Sequence, residues 1–412
     1  MLATRLGLPR VRGESGFVVA LLIDALGTGL YLPFSLLYFQ AVAHLPLPAI
    51  GVALTIATVA TLPMTPLTGA LVDRWGARRL VIASQLLQAL GFVGYLVVQS
   101  IPVLVATALL VTAGSRAFYA ASTALIAQVA GPSERDRWYG FVGATQSLGL
   151  AAGGLLAGVV VAAPGTVGYR ALILADTLSF LLAAFLLHRH MADPSLPHVT
   201  ARQAGGYRAV LADRPFLGLI ACNVVFALCG LMLTVGLAIY ATESLGLSTA
   251  IVGAAFAVST LLTLGTQTLI VRWLEPYRRT RVLAAAAAIR ALGGCLFVLA
   301  LVLPRAVLVP YIFIVVGIYT LGGLVSSPTA TALAASAAPV GLQARYLALY
   351  ELTWGIAAAL APGVFTVLYA GSAVLPWAMV TGLALIVGVV VVRLEPHLPA
   401  HAVRAEVAPV DG

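Results

Sequence analysis

Residues 17–42 read FVVALLIDALGTGLYLPFSLLYFQAV, a 26-residue apolar run from Phe17 to Val42 with a single charge, Asp24. At 1.5 Å per residue such a run crosses a bilayer, which needs about 20 apolar residues. Thr28, Tyr31, Ser35 and Tyr38 follow Asp24 at helical spacing, so the polar side chains share one stripe of an α-helix. A carboxylate at that depth costs roughly 2.5–3.5 kcal/mol to insert. The stripe is therefore expected to face a wet cavity or the bundle interior, with Asp24 as a functional group. The competing reading is an acid close enough to the helix end to reach the interface.

The rest of the chain repeats this composition. It is 61% hydrophobic and 9% charged over 412 residues, where a soluble domain carries about 25% charged residues. Eleven further apolar spans follow, at 47–71, 80–99, 102–128, 138–162, 169–188, 216–240, 248–271, 282–303, 307–335, 346–370 and 373–392. The expected fold is an all-α membrane protein of twelve transmembrane helices in two six-helix pseudo-repeat halves. Residues 1–188 form the first half, 189–215 a cytoplasmic linker, 216–394 the second half and 395–412 a cytoplasmic tail. The linker carries Pro194, Pro197, Gly205 and Gly206. The run after the first 16 residues is too long for a signal-peptide core, so it is read as a retained first helix.

Every basic residue is arginine. With both termini inside, 19 of the 23 fall in cytoplasmic segments. Only Arg170 and Arg305 lie in external loops, while Arg116 and Arg290 lie inside spans. This asymmetry fixes the orientation and supports an even helix count. The net charge of +9 therefore reflects topology, and nucleic-acid binding is excluded for want of a basic, aromatic-studded soluble domain. The arginine, alanine, glycine and valine usage points to a GC-rich bacterial coding sequence.

Cys222, Cys229 and Cys295 lie in apolar segments without metal-binding spacing or a disulfide framework. No phosphate loop, HExxH or GxSxG motif appears, and the six histidines lie in loops or tails. Neither an ATP-driven pump nor an enzyme is expected, and no cofactor or metal.

The halves repeat weakly. Thr112, Gly114, Thr123, Ala124 and Leu125 recur as Thr320, Gly322, Thr331, Ala332 and Leu333, and Arg137 as Arg345, at an offset of 208. Ala89-Leu90-Gly91 recurs as Ala291-Leu292-Gly293 at an offset of 202.

Between spans two and three stands Gly69-Ala-Leu-Val-Asp73-Arg74-Trp-Gly76-Ala-Arg78-Arg79. This resembles the loop signature of the major facilitator superfamily, Gly-x-x-x-Asp-Arg-x-Gly-Arg-Arg/Lys, with Ala77 departing from the usual arginine. The resemblance assigns Gly69, Asp73, Arg74, Gly76 and Arg78 to a conformational switch. Physically, Asp73 can accept from backbone N–H groups at a helix start, a latch made in one state and broken in the other. The bland alternative is a positive-inside turn with a helix cap. In the second half the counterpart, Gln267 to Arg281, keeps Arg272-Trp273 and has lost the Asp.

Arg116, with Tyr119 and Thr123 on the same side, lies mid-span, and its repeat counterpart is Leu324. It matches the arginine of a second family signature, which the resemblance links to proton coupling. Such a cation would bias the ionisation of a nearby carboxylate; the alternative is a permanently paired structural arginine. Gly149-x-x-x-Gly153-Gly154-x-x-x-Gly158 resembles the glycine-rich antiporter signature of the drug-exporting branch, with Gly154 replacing its proline. Close helix packing explains these glycines equally well.

Glu351 is either a second titrating group or an acid satisfying a helix N-terminus. Arg290 would either hold Glu351 or bind an anionic ligand. Asp176 is read as close to the outer end of span six, where it reaches water. Tyr31, Tyr38, Tyr119, Tyr319, Tyr350, Phe226 and Trp354 would line a broad, partly aromatic cavity suited to amphipathic molecules. The proton-coupling set is thus Asp24, Arg116 and Glu351. The substrate-binding set is Tyr31, Tyr119, Gln146, Asn223, Phe226, Arg290 and Trp354. The expected protein is a monomeric drug:proton antiporter of a bacterial inner membrane, exporting small organic molecules and conferring antibiotic resistance. Proton-coupled nutrient uptake is the alternative, and a non-transporting membrane enzyme or sensor a more distant one.

Overall fold

A computed structural model describes residues 15–129, 135–161, 165–190, 208–274, 276–339 and 342–404. Helices dominate, and no strand occurs among the described residues. They are α1 (Ser15–Tyr31), α2 (Ser35–Ala43), α3 (Leu47–Ala60), α4 (Met64–Trp75), α5 (Ala77–Tyr95), α6 (Ile101–Val129), α7 (Arg135–Val161) and α8 (Val167–His190). A short α9 (Arg208–Ala212) precedes α10 (Arg214–Ile239), α11 (Thr249–Leu274), α12 (Arg279–Ala300), α13 (Arg305–Ala337), α14 (Gln343–Gly371), α15 (Leu375–Leu394) and α16 (Ala400–Val403). Nine stretches of helix among the described residues are long and apolar enough to cross a membrane, and shorter apolar helices add to them. Each of the twelve spans read from the sequence coincides with a helix or a broken pair of helices. This is a twelve-helix, all-α membrane fold.

Two spans are broken. The first is interrupted by a 3-10 turn at Leu32–Phe34, with Pro33 inside it. The second breaks at Thr61–Pro63, where the Thr61 hydroxyl turns back onto the carbonyls of Ala57 and Thr58. Proline lacks the N–H that would continue the ladder, which is why both breaks hold one. The Asp24 stripe therefore runs straight only to Tyr31.

By compactness the chain forms two units, residues 1–201 with 248–260, and residues 202–247 with 261–412. Within the first, α1 packs on α7 and α8, and α5 on α6 and α8. Within the second, α10 packs on α14 and α15, and α12 on α13 and α15. The same neighbour pattern thus appears twice. Its most specific mark is a pair of tyrosines. Tyr38 donates to the carbonyl of Tyr95, and Tyr240 donates to the carbonyl of Phe297. Both donor and acceptor are displaced by 202 residues. Likewise Gly91 abuts Val111, and Gly293 abuts Tyr319.

The helix-seven glycines explain how α1 is held. A Cβ at Gly153 would lie 2.2 Å from the carbonyl oxygen of Leu26, and one at Gly149 2.5 Å from the Ala25 side chain. Neither position tolerates a side chain without moving α1. At Gly154 the nearest atom would be 3.7 Å away. Gly153→Ala is expected to destabilise the protein by about 1–3 kcal/mol and to lower its Tm in detergent, while Gly154→Ala leaves Tm unchanged. Equal Tm values for both variants would show that α1 is not held by this crossing.

Candidate functional site

Asp24 lies on α1 and is 6% exposed. Its Oδ1 accepts from the Gln85 side-chain amide on α5 at 2.9 Å. The acid does not snorkel outward; it points into the first unit, at the junction of α1, α5 and α8. Gln85 Oε1 has no hydrogen-bond partner among the described residues.

Asp176 joins the same region. The sequence reading placed it where water could reach it, and the structure corrects this: Asp176 is 0% exposed, in the middle third of α8. Its Oδ1 lies 3.1 Å from the Ser179 hydroxyl, and its Oδ2 has no partner among the described residues. A Cβ at Gly27, three residues past Asp24 on α1, would fall 2.2 Å from Asp176 Oδ1. A glycine is thus required where α1 passes over this carboxyl.

Arg116 on α6 is half-buried, and its Nε donates to the Thr61 hydroxyl at 3.3 Å. No ion pair joins it to Asp24 among the described residues. The arginine therefore sits at the break in span two, where Thr61 also turns onto its own helix. Tyr119 and Glu351 are exposed, as is Trp354. Gln146 is half-buried on α7.

The aromatic residues divide differently from expectation. Tyr31 is buried, stacked on Tyr95 at 5.7 Å and edge-on to Phe92 at 4.8 Å. Tyr38 is buried on the Tyr95 carbonyl. Phe226 and Tyr350 belong to the apolar core of the second unit, and Tyr319 lies in a ring cluster with Phe297 and Trp377. Five of the seven aromatics read as a cavity lining are thus core residues in this structure, with Tyr119 and Trp354 left exposed. Helical spacing is the same for a ring that packs and a ring that binds. Asn223 links α10 to α14 by donating to the Thr353 hydroxyl at 2.6 Å.

Arg290 on α12 is 4% exposed, with its guanidinium carbon 4.8 Å from the ring centre of Tyr319. Its Nε has no hydrogen-bond partner, and no carboxylate pairs with it among the described residues. Glu351 is exposed on α14, and of the two readings of Arg290 the pairing with Glu351 is not seen among the described residues. Gly230 and Gly323 flank the guanidinium, and a Cβ at Gly323 would meet it at 2.9 Å.

The signature turn joins α4 to α5. Gly69 and Asp73 lie on α4, and their side chains are outside the described ones. Gly76 sits between the helices with φ +84°, a conformation that strains any residue with a Cβ. Arg74 is exposed. Arg78 donates to the carbonyl of His188 at 2.6 Å and to that of Leu187 at 3.4 Å. It thereby caps the negative end of α8. The second unit has the equivalent junction in another chemistry. Thr280, displaced by 202 from Arg78, donates to Glu395 at 2.6 Å, and Arg278 and Arg281 pair with the same carboxylate. Glu395 thus ties the end of α15 to the start of α12.

Sequence reading missed Gln85, the burial of Asp176 and the Glu395 clasp. Each depends on which helices meet. A carboxylate in mid-span six, three residues before a serine, was the one local signal available for Asp176.

This architecture is that of a multi-helix membrane transporter. The chain matches the profile of the Major Facilitator Superfamily over residues 17–362 and 227–410, and it belongs to that family. It is 26% identical over 328 residues to the multidrug resistance protein MdtH of Sodalis glossinidius, covering 79% of this chain and 78% of that one. It is 31% identical over 181 residues to the class G tetracycline resistance protein of Vibrio anguillarum, covering 42% and 45%. Among solved structures, a point mutant of the nucleoside transporter NupG superposes with a TM-score of 0.75 at 13% identity, covering 93% of this chain and 100% of that one. A bacterial homologue of the iron transporter ferroportin gives 0.74 at 16% identity, covering 94% and 99%.

Proposed function

We propose that the chain exports small amphipathic organic molecules across a bacterial inner membrane in exchange for protons, with both termini cytoplasmic. The observation that carries this reading is Asp24, a buried carboxyl on the first membrane helix with only a neutral amide as its described partner. A carboxyl in that setting changes its charge state at modest cost, because neither form is locked by a salt bridge. Relatives named for multidrug and tetracycline resistance support the substrate class. Residues 1–188 and 216–394 act as the two halves, and the protein works as a monomer.

Asp24 carries the coupling proton, Arg116 sets the local field, and Glu351 offers a second titrating group. Tyr119, Gln146, Trp354 and Arg290 supply substrate contacts, with Tyr31, Asn223 and Phe226 shaping the walls behind them. Gly69, Asp73, Arg74, Gly76 and Arg78 form the cytoplasmic switch, with Arg78 anchoring α5 to α8.

The test is transport in proteoliposomes holding the full chain and an imposed pH gradient, with tetracycline and ethidium as probes. The expected result is uphill probe movement opposite to the proton flux, abolished by a protonophore. Probe movement in the same direction as the protons would make the protein an uptake symporter. Movement insensitive to the gradient would remove proton coupling altogether.

A further inference from the structure

Two carboxyls are buried in the first unit, and among the described residues no cation pairs with either. Asp24 and Asp176 come from α1 and α8, and Gly27 brings the backbone of α1 onto the Asp176 carboxyl one helical turn from Asp24. Asp176 Oδ1 thus lies against α1 only three residues along the helix from Asp24. The titratable groups on the neighbouring described helices are phenols, Tyr31 on α1 stacked on Tyr95 of α5 and the exposed Tyr119 on α6, and the exposed Arg170 lies six residues before Asp176 on α8. From α7, Gly149, Leu150 and Gly153 are among the residues packed on α1. Arg116, an arginine inside a span of the first unit, donates to Thr61.

The hydrogen-bond geometry adds an independent argument. Ser179 has a single hydroxyl proton. Its oxygen lies 2.8 Å from the Asp176 backbone carbonyl and 3.1 Å from Asp176 Oδ1. The shorter contact takes that proton, as serines in helices commonly do. The longer one is then satisfied when the carboxyl itself supplies a proton. Asp176 Oδ2 and Gln85 Oε1 are buried acceptors with no donor among the described residues, so the region holds more acceptors than protons. Two bare carboxylates here would repel each other with no counter-charge, a cost that a single proton removes.

We propose that Asp176 is a second proton-carrying residue, and that Asp24 and Asp176 work as one coupled pair. The two carboxyls hold one proton between them, so that one is neutral while the other is ionised. The pair keeps one negative charge throughout, and it becomes neutral only when a second proton enters. Asp24, linked to Gln85 on α5, is the member that exchanges with the transport pathway. Asp176, sealed under Gly27, is the store. At the offsets relating the halves, Asp24 falls on Phe226 and Asp176 on Ala384, so the pair belongs to the first half alone.

This inference gives the protons of the proposed antiport a place, and its test is independent of transport. Infrared difference spectra of the full chain in lipid, titrated with pH, report the C=O stretch of protonated carboxyls without any substrate. Wild type is expected to show two titration steps. Asp24→Asn and Asp176→Asn should each remove one step and move the other by about one pH unit or more, because coupled acids titrate as a pair. The remaining step moves to lower pH, since a like charge has been removed. Ser179→Ala, which leaves both acids in place, should shift the frequency of one carboxyl band; it serves if an asparagine variant fails to fold. Each variant deleting its own step while leaving the other unmoved would overturn the pairing. So would spectra with no protonated carboxyl lost in either asparagine variant. A pair that titrates as described in a protein whose transport ignores the pH gradient would sink the antiport reading and leave the pair standing.

Discussion

Asp24→Asn is expected to reduce gradient-driven transport in proteoliposomes to the level of empty liposomes while leaving the protein folded. Asparagine has the shape of the aspartate and keeps an oxygen for the Gln85 amide, which donates across 2.9 Å. What it loses is the ability to change charge. Removing a buried ionisable group that has no cationic partner does not cost stability, because the burial penalty falls on the charged form. Tm should therefore be equal to or above that of wild type. Substrate binding, read by equilibrium quenching with the same probes, should persist and lose its dependence on pH. A variant that still concentrates substrate at the wild-type rate would remove Asp24 from the coupling mechanism.

Asp24 stands out in the sequence, whereas its surroundings do not. A lone charge in a long apolar run is visible in one dimension, because depth follows from residue count. Its partners are not. Gln85 lies 61 positions away, and nothing in the local pattern of span three distinguishes it from Gln88, which also faces inward. Arg116 illustrates the same limit. Its place inside a span is plain from the sequence, but its partner is a threonine at a helix break and not an acid. Arg116→Ala therefore orphans no described carboxylate through a broken ion pair. The helix breaks themselves were legible in Pro33 and Pro63, yet a count of apolar residues passes over them, because apolarity records burial and not hydrogen bonding. The repeat behaves similarly. Tyr38 and Tyr240 make the same bond, but each acceptor is a backbone carbonyl, so the residues at 95 and 297 need not match, and they do not. Aromatic residues were the least readable of all. Tyr31 and Tyr119 share a residue type and a mid-membrane setting, and only packing puts one in the core and leaves the other exposed.

Arg290 carries the second large effect, and it separates function from stability in the opposite sense to a packing residue. Its counterpart in the first half is the neutral Gln88, at the same glycine crossing: Gly114 abuts Gln88 as Gly322 abuts Arg290. The second half has therefore placed a cation where the fold needs only an amide. That cation is 4% exposed, has no carboxylate among the described residues, and leaves Nε unsatisfied. The Tyr319 face offsets part of the cost, at about 0.5–2 kcal/mol for such a contact. Burial of an unpaired charge costs several kcal/mol, and apolar replacement of buried charges is often neutral or stabilising by about 1–4 kcal/mol. Arg290→Met is thus expected to raise Tm in detergent while reducing transport at least about tenfold, a loss worth about 1.4 kcal/mol. The reduction should be larger for probes carrying a carboxylate or another acidic group than for purely cationic ones, since the guanidinium would hold an anionic group. Tyr319→Leu should weaken transport less, because the charge remains. A lower Tm for Arg290→Met, with transport unchanged for acidic and cationic probes alike, would mean that the arginine is held for packing on Tyr319 and takes no part in substrate binding.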